Sequence, residues 1–206
     1  MLEVRLEKIG RRFNREWIFR DLEFEFVSGT RHAVLGPNGS GKSTLLKLIS
    51  GSLTPSEGQI HYFLAGKTLP VEHLYRQLSL AAPYLELIEE FTLREVIRFH
   101  FSNKSYLDGF DEDRMVELIG LEKSLDKPLR FFSSGMKQRV KLALACCADT
   151  ALVLLDEPTS NLDVRAIQWY HELLEKTINA HRLLLVFSNQ PEEYKTCEKF
   201  LTLGIV

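Results

Sequence analysis

Residues 36–44 read Gly36-Pro37-Asn38-Gly39-Ser40-Gly41-Lys42-Ser43-Thr44, and this stretch decides the fold. It satisfies G-x-x-x-x-G-K-[ST], a loop that cradles phosphate when a strand precedes it and a helix follows. Both flanks are present: the apolar run Ala33-Val34-Leu35 before it, and a helical pattern from Lys42 to Ile49 after it. Gly39 and Gly41 permit backbone geometries that turn successive N–H groups inward as an anion nest. The helix start adds the positive end of its dipole. All nine residues are therefore expected at a nucleotide. Lys42 brings a compact charge to the β- and γ-phosphates, and the Ser43 hydroxyl is placed to ligate Mg²⁺.

Outward from the loop, the pattern is that of a wound α/β chain. HAVL, ALVLL and LLLVF are short apolar runs, each followed by polar or turn residues, as expected of strands buried on both faces of a parallel sheet. Helical patterns at 42–49, 92–101, 111–119, 134–148 and 164–178 separate or follow them. At the N-terminus the alternation in Asp21–Gly29 puts Leu22, Phe24 and Phe26 on one face, and Leu2–Glu7 alternates similarly and can pair with it. The expected architecture is one α/β domain over 1–206. Its P-loop core of mostly parallel sheet covers 1–83 and 149–206, with an antiparallel β-subdomain at its start. A helical subdomain is inserted at 84–148.

Bulk properties exclude several classes. The 206 residues are 45% apolar and 26% charged with a net charge of −2, so no basic footprint for nucleic acid exists. The three cysteines show no metal spacing, and Cys146 and Cys147 sit in an apolar helical stretch as small buried hydrophobes. The opening MLEVRLEKIG is charged without an apolar core, and no run approaches the roughly 18 apolar residues of a spanning helix. A cytoplasmic chain that reaches a membrane only through a partner is expected.

Leu152–Pro158, LVLLDEP, ends a buried strand with two acids at its carboxyl end, the edge of an open α/β sheet where ligands sit. Asp156 is read as holding Mg²⁺, directly or through water, and Glu157 as polarising the attacking water. Taken alone the pair also reads as a solvated acidic turn; beside a P-loop the catalytic reading gains.

Together these segments resemble the ABC (ATP-binding cassette) ATPase family over nearly the whole chain. Phe132–Arg139, FSSGMKQR, resembles the family's signature LSGGQ-x-QR, and Ser160–Asp163, SNLD, resembles its D-loop. The resemblance implies ATP as ligand and two cassettes, identical or not, closing head to tail on two ATP molecules. Ser133, Ser134, Gly135 and Met136 would then face the partner's γ-phosphate from a helix N-terminus. Asp163 would carry communication across the dimer. It also implies a transmembrane permease subunit docked near residues 84–101, with Leu85, Leu87, Ile88 and Phe91 as contacts or as core. Phe13 lies where the family places an aromatic on adenine; a core phenylalanine and Trp17 are the rivals. The length without appended regions resembles exporter subunits more than importer ATPases.

Four positions, in three motifs, depart from the family. Ser134 and Met136 replace a glycine and a glutamine of the signature. Pro83 stands where the Q-loop glutamine is expected, leaving Glu86 as a substitute or as an ordinary surface acid. Asn189 stands at the switch histidine: it can donate an N–H but carries no proton or charge. Slow hydrolysis is expected. A soluble ATPase acting on a protein complex, or a slow nucleotide-gated clamp, is the alternative function.

Overall fold

The computed structural model describes residues 1–204. The chain builds two sheets. β1 (Leu2–Phe13), β2 (Glu16–Val27), β4 (Glu57–Leu64) and β5 (Lys67–Thr68) form an antiparallel sheet in the order β2-β1-β4-β5. The pairing expected between the Leu2 and Leu22 stretches is present, with Val4 opposite Phe26 and Leu6 opposite Phe24. β3 (Arg31–Leu35), β6 (Leu78–Ala81), β7 (Leu152–Asp156), β8 (Leu183–Phe187) and β9 (Lys199–Thr202) form the second, all-parallel sheet in the order β6-β7-β8-β3-β9. The three apolar runs are three of its five strands; β6 and β9 carry weaker patterns and were not read from the sequence.

Every residue of β7 and β8 is buried, and the pleat sends alternate side chains to two separate cores. Leu152 and Leu154 join Leu183, Leu185 and Phe187 on one face, under α1 (Lys42–Ile49) and the antiparallel sheet. Val153 and Leu155 join Leu184 and Val186 on the other. That second face packs against α2 (Leu93–Phe101), α3 (Glu112–Ile119), α4 (Ser134–Cys146) and α5 (Val164–Thr177). A sheet covered on both faces explains why its strands read as unbroken apolar runs rather than alternating ones.

The helix boundaries follow from capping chemistry. Thr92 caps α2 through a reciprocal box: the Glu95 N–H donates to Thr92 Oγ1 at 3.2 Å, and the Thr92 N–H donates to Glu95 Oε2 at 2.8 Å. Asp111, Ser133 and Asp163 cap α3, α4 and α5 in the same position. α4 stops at Cys146, two residues short of the expected end, because Ala148 bridges to Tyr106. Cys146, Cys147 and Cys197 are buried free thiols, held well above the usual thiol range by burial. Between residues 84 and 148 only isolated bridges accompany the helices. No helix among the described residues is long and apolar enough to cross a membrane.

Candidate functional site

The glycine-rich loop joins β3 to α1 at the carboxyl edge of the parallel sheet. Gly41 precedes the first turn of α1 at φ 95°, and a Cβ there would lie 2.5 Å from Ile18 Cγ2 of β2. Glycine is required at this position by conformation and by space together. Gly39, at φ 85°, has open space around it and is required by conformation alone. The Lys42 ammonium curls over the loop, donating to the Gly36 carbonyl at 2.7 Å and the Pro37 carbonyl at 3.2 Å. Asn38, Gly39, Gly41, Lys42, Ser43 and Thr44 line a cavity of about 310 Å³, closed by Ile18 on one side and Glu157 on another. Ser40 is buried beneath it. Ile18 was missed in the sequence because nothing marks it apart from its neighbours on β2.

Beneath the cavity, the Ser43 hydroxyl donates to Asp156 Oδ2 at 2.8 Å, although 113 residues separate them. Asp156 is buried and its Oδ1 has no protein partner among the described residues. Burial pushes its carboxyl up to about 6, with the Glu157 charge adding and Ser43 and Lys42 opposing. An orphaned buried carboxylate oxygen beside a hydroxyl is a hard-oxygen donor pair that fits Mg²⁺. Among the described residues no group of three or more His, Cys, Asp or Glu side chains could hold a metal by itself. A cation here would rest on Ser43 and Asp156 from the protein.

Glu157 follows at φ 41°, a left-handed conformation that a non-glycine residue adopts at a cost of about 1–2 kcal/mol. Two backbone bonds hold it there: its N–H donates to the Phe187 carbonyl at 2.9 Å, and its carbonyl accepts from Ser160 at 3.1 Å. The residue held in this turn lines the loop cavity. Asn189, just beyond β8, donates from Nδ2 to Asn38 Oδ1 at 3.3 Å, so the switch position reaches the loop.

Phe13 is 46% exposed at the end of β1, which excludes the core reading. The Arg11 guanidinium lies 4.5 Å from its ring. Trp17 already carries two guanidinium groups, Arg12 at 5.6 Å and Arg20 at 4.6 Å, and packs against Gly10. Phe13 is the more exposed of the two rings, and neither lines the loop cavity.

The signature residues form a second concavity of about 510 Å³, which shares no lining residue with the first. Ser133 caps α4, its Oγ accepting from the Met136 N–H at 3.2 Å. Ser134 is exposed; a Cβ on Gly135 would lie 2.9 Å from the Asn161 carbonyl, so glycine lets the two segments touch. Asp163 lines the same concavity and caps α5, accepting from the Ala166 N–H at 2.8 Å.

In the segment after β6, Glu86 is exposed and acts on Lys141, which fits the ordinary surface acid of its two readings. The Pro83 carbonyl accepts from Lys141 at 3.1 Å. Tyr84, the next residue, places its ring 5.3 Å from the Lys47 ammonium, one helical turn beyond Ser43. Its phenol is pushed up to about 12, chiefly by burial and in part by the Asp156 charge. Nothing in the order of residues marks Tyr84, since an aromatic in that loop reads as surface or core alike. Leu85 and Ile88 are exposed, whereas Leu87 and Phe91 pack against the helical core.

Comparison with known proteins agrees with this geometry. The family model described as ABC transporter matches residues 19–160. Relatives named arabinose import ATP-binding protein AraG, from Pectobacterium atrosepticum and Yersinia pestis, are each 31% identical over 196 residues. The alignments cover 90% of this chain but 38% and 37% of those relatives, so the chain spans less than two fifths of their length. A solved ATP-binding subunit of an ABC transporter superposes with a TM-score of 0.83 at 26% identity, covering 98% of this chain and 87% of that one. An ATP-binding protein of an ABC transporter from Pyrococcus furiosus shares the fold, with a TM-score of 0.81 at 18% identity over 98% of this chain and 97% of its own. With the loop, the Ser43–Asp156 pair and the signature concavity in place, the chain belongs to the ABC transporter family and carries its ATP-binding cassette.

Proposed function

We propose that the chain binds and hydrolyses ATP to drive a separate transmembrane permease subunit, closing on a second cassette as it does so. The observation that carries the reading is the Ser43–Asp156 pair beneath the loop cavity, with Glu157 lining the same space. Loop N–H groups and Lys42 bind the phosphates, Phe13 stacks on the base, and Ser43 and Asp156 hold Mg²⁺. The cation, when bound, offsets charge on the β- and γ-phosphate oxygens. Glu157 orients and polarises the attacking water, and Asn189 offers an N–H to the γ-phosphate.

The signature concavity lies apart from the loop cavity within one chain, which supports its use by a neighbour's nucleotide. Ser133, Ser134, Gly135 and Met136 would contact that γ-phosphate, and Asp163 would couple the two halves. The proposed division places the nucleotide core in 1–83 and 149–206 and the signature helix in 84–148. Leu85 and Ile88 remain the contacts offered to a permease at the inner face of a membrane; Leu87 and Phe91 belong to the core. The import names of the curated relatives speak against the exporter resemblance drawn from length.

Mg²⁺-dependent ATP turnover of the purified chain, beside Glu157→Gln, tests the proposal. Turnover abolished by that change supports a competent enzyme. ATP bound without turnover would instead favour a nucleotide-gated clamp, the reading to which Pro83 and Asn189 point.

A further inference from the structure

Glu193 is a carboxylate with no exposed surface, on the short turn after β8, and nothing in the proposed chemistry uses it. Its Oε1 accepts from the Thr159 N–H at 2.8 Å and from Thr159 Oγ1 at 2.6 Å. Its Oε2 accepts from the Ser188 hydroxyl. Thr159 lies two residues after Glu157, and Ser188 immediately precedes Asn189. Two further bonds fix its backbone: the Glu193 N–H donates to the Gln190 carbonyl at 3.0 Å, and the Tyr170 hydroxyl donates to the Glu193 backbone carbonyl at 2.9 Å. From the opposite side the buried Gln138, two residues beyond Met136, donates to the Pro158 carbonyl at 2.8 Å.

A charge buried this completely is tolerated only when its oxygens are satisfied, and here each donor comes from a segment that flanks the reaction. We propose that Glu193 is a positioning residue that locks the strained Glu157 turn to the Asn189 segment, so that the acid and the switch residue move as one unit. Gln138 ties the same turn to the signature helix, placing Glu193 at the end of a buried path from the signature concavity to the chain's own nucleotide. Breaking the carboxylate frees the Glu157 turn from β8 on its Thr159 side, while Lys42 keeps its bonds to the Gly36 and Pro37 carbonyls.

The inference deepens the hydrolytic reading and rests on it for its catalytic consequence, but its central claim can be read without hydrolysis. Amide hydrogen exchange is measured on the full chain, with and without Mg-ATP. Glu193→Ala is expected to raise exchange across residues 158–163 and 187–190 together by about tenfold or more. Glu193→Gln keeps one oxygen for Thr159 and is expected to stay within about threefold of the parent chain. Thr159→Val removes only the hydroxyl and is expected to loosen 187–190, a segment it does not belong to; it serves if the alanine variant fails to fold. In parallel, kcat of Glu193→Ala should fall by about tenfold or more with KM for ATP within about threefold, and Glu193→Gln should recover most of the loss. Unchanged exchange at 187–190 in both Glu193→Ala and Thr159→Val overturns the proposal, as does a glutamine variant as slow as alanine. A chain that binds ATP without turning it over, yet shows the linked exchange, refutes the hydrolytic reading and keeps the lock.

Discussion

The Asn189 amide donates to Asn38 Oδ1 over 3.3 Å, joining the segment beyond β8 to the phosphate loop across 151 residues. A side-chain amide can make this contact and offer an N–H to phosphate, but it brings no positive charge to the charge that develops there.

Replacing Asn189 with His is therefore expected to raise kcat, by about tenfold, with little change in ATP affinity. Steady-state turnover against ATP concentration checks it. An unchanged or lower kcat would remove Asn189 as the limiting feature and shift attention to Pro83, whose carbonyl is held by Lys141 while its ring offers neither donor nor acceptor.

Two glycines of the loop separate conformation from space. Gly41→Ala combines φ 95° with a Cβ 2.5 Å from Ile18, and is expected to cost about 2 kcal/mol or more. Gly39→Ala meets only the backbone penalty, since nothing lies within 4 Å, and is expected to cost about 1 kcal/mol. Urea midpoints of the two variants decide it; equal losses would mean that the contact with β2 does not constrain the loop.

His100 on α2 makes stability depend on mildly acidic pH. Its Nε2 is buried without a partner among the described residues. Burial pushes its pKa down to about 4, with the Lys104 ammonium adding and a backbone bond to Leu144 opposing. Unfolded, it takes up a proton near pH 6.5; folded, it resists until about 4. The unfolded chain thus binds more protons within that window, and stability falls as pH falls through it. The loss at pH 4.5 is expected to be on the order of 2–3 kcal/mol and to shrink in His100→Leu, measured as the difference in urea midpoints between pH 7 and pH 4.5.

The sequence determined the loop, the paired acids, the signature and the D-loop, because each is a short run in which residue order fixes local backbone and chemistry. Gly36–Thr44 needs only its neighbours to be a phosphate nest. The burial of β7 and β8 was equally legible, since a strand covered on both faces must be apolar throughout. What the tertiary structure alone decided are the pairings of residues remote in the chain. Ser43 finds Asp156 across 113 residues, Glu193 finds Thr159 across 34, and Ile18 closes a cavity from a strand that no motif marks. A buried glutamate, a loop tyrosine and an ordinary isoleucine carry no signal in their order along the chain. Their roles arise only when the parallel sheet brings its strand ends together and burial gives each hydrogen bond its weight.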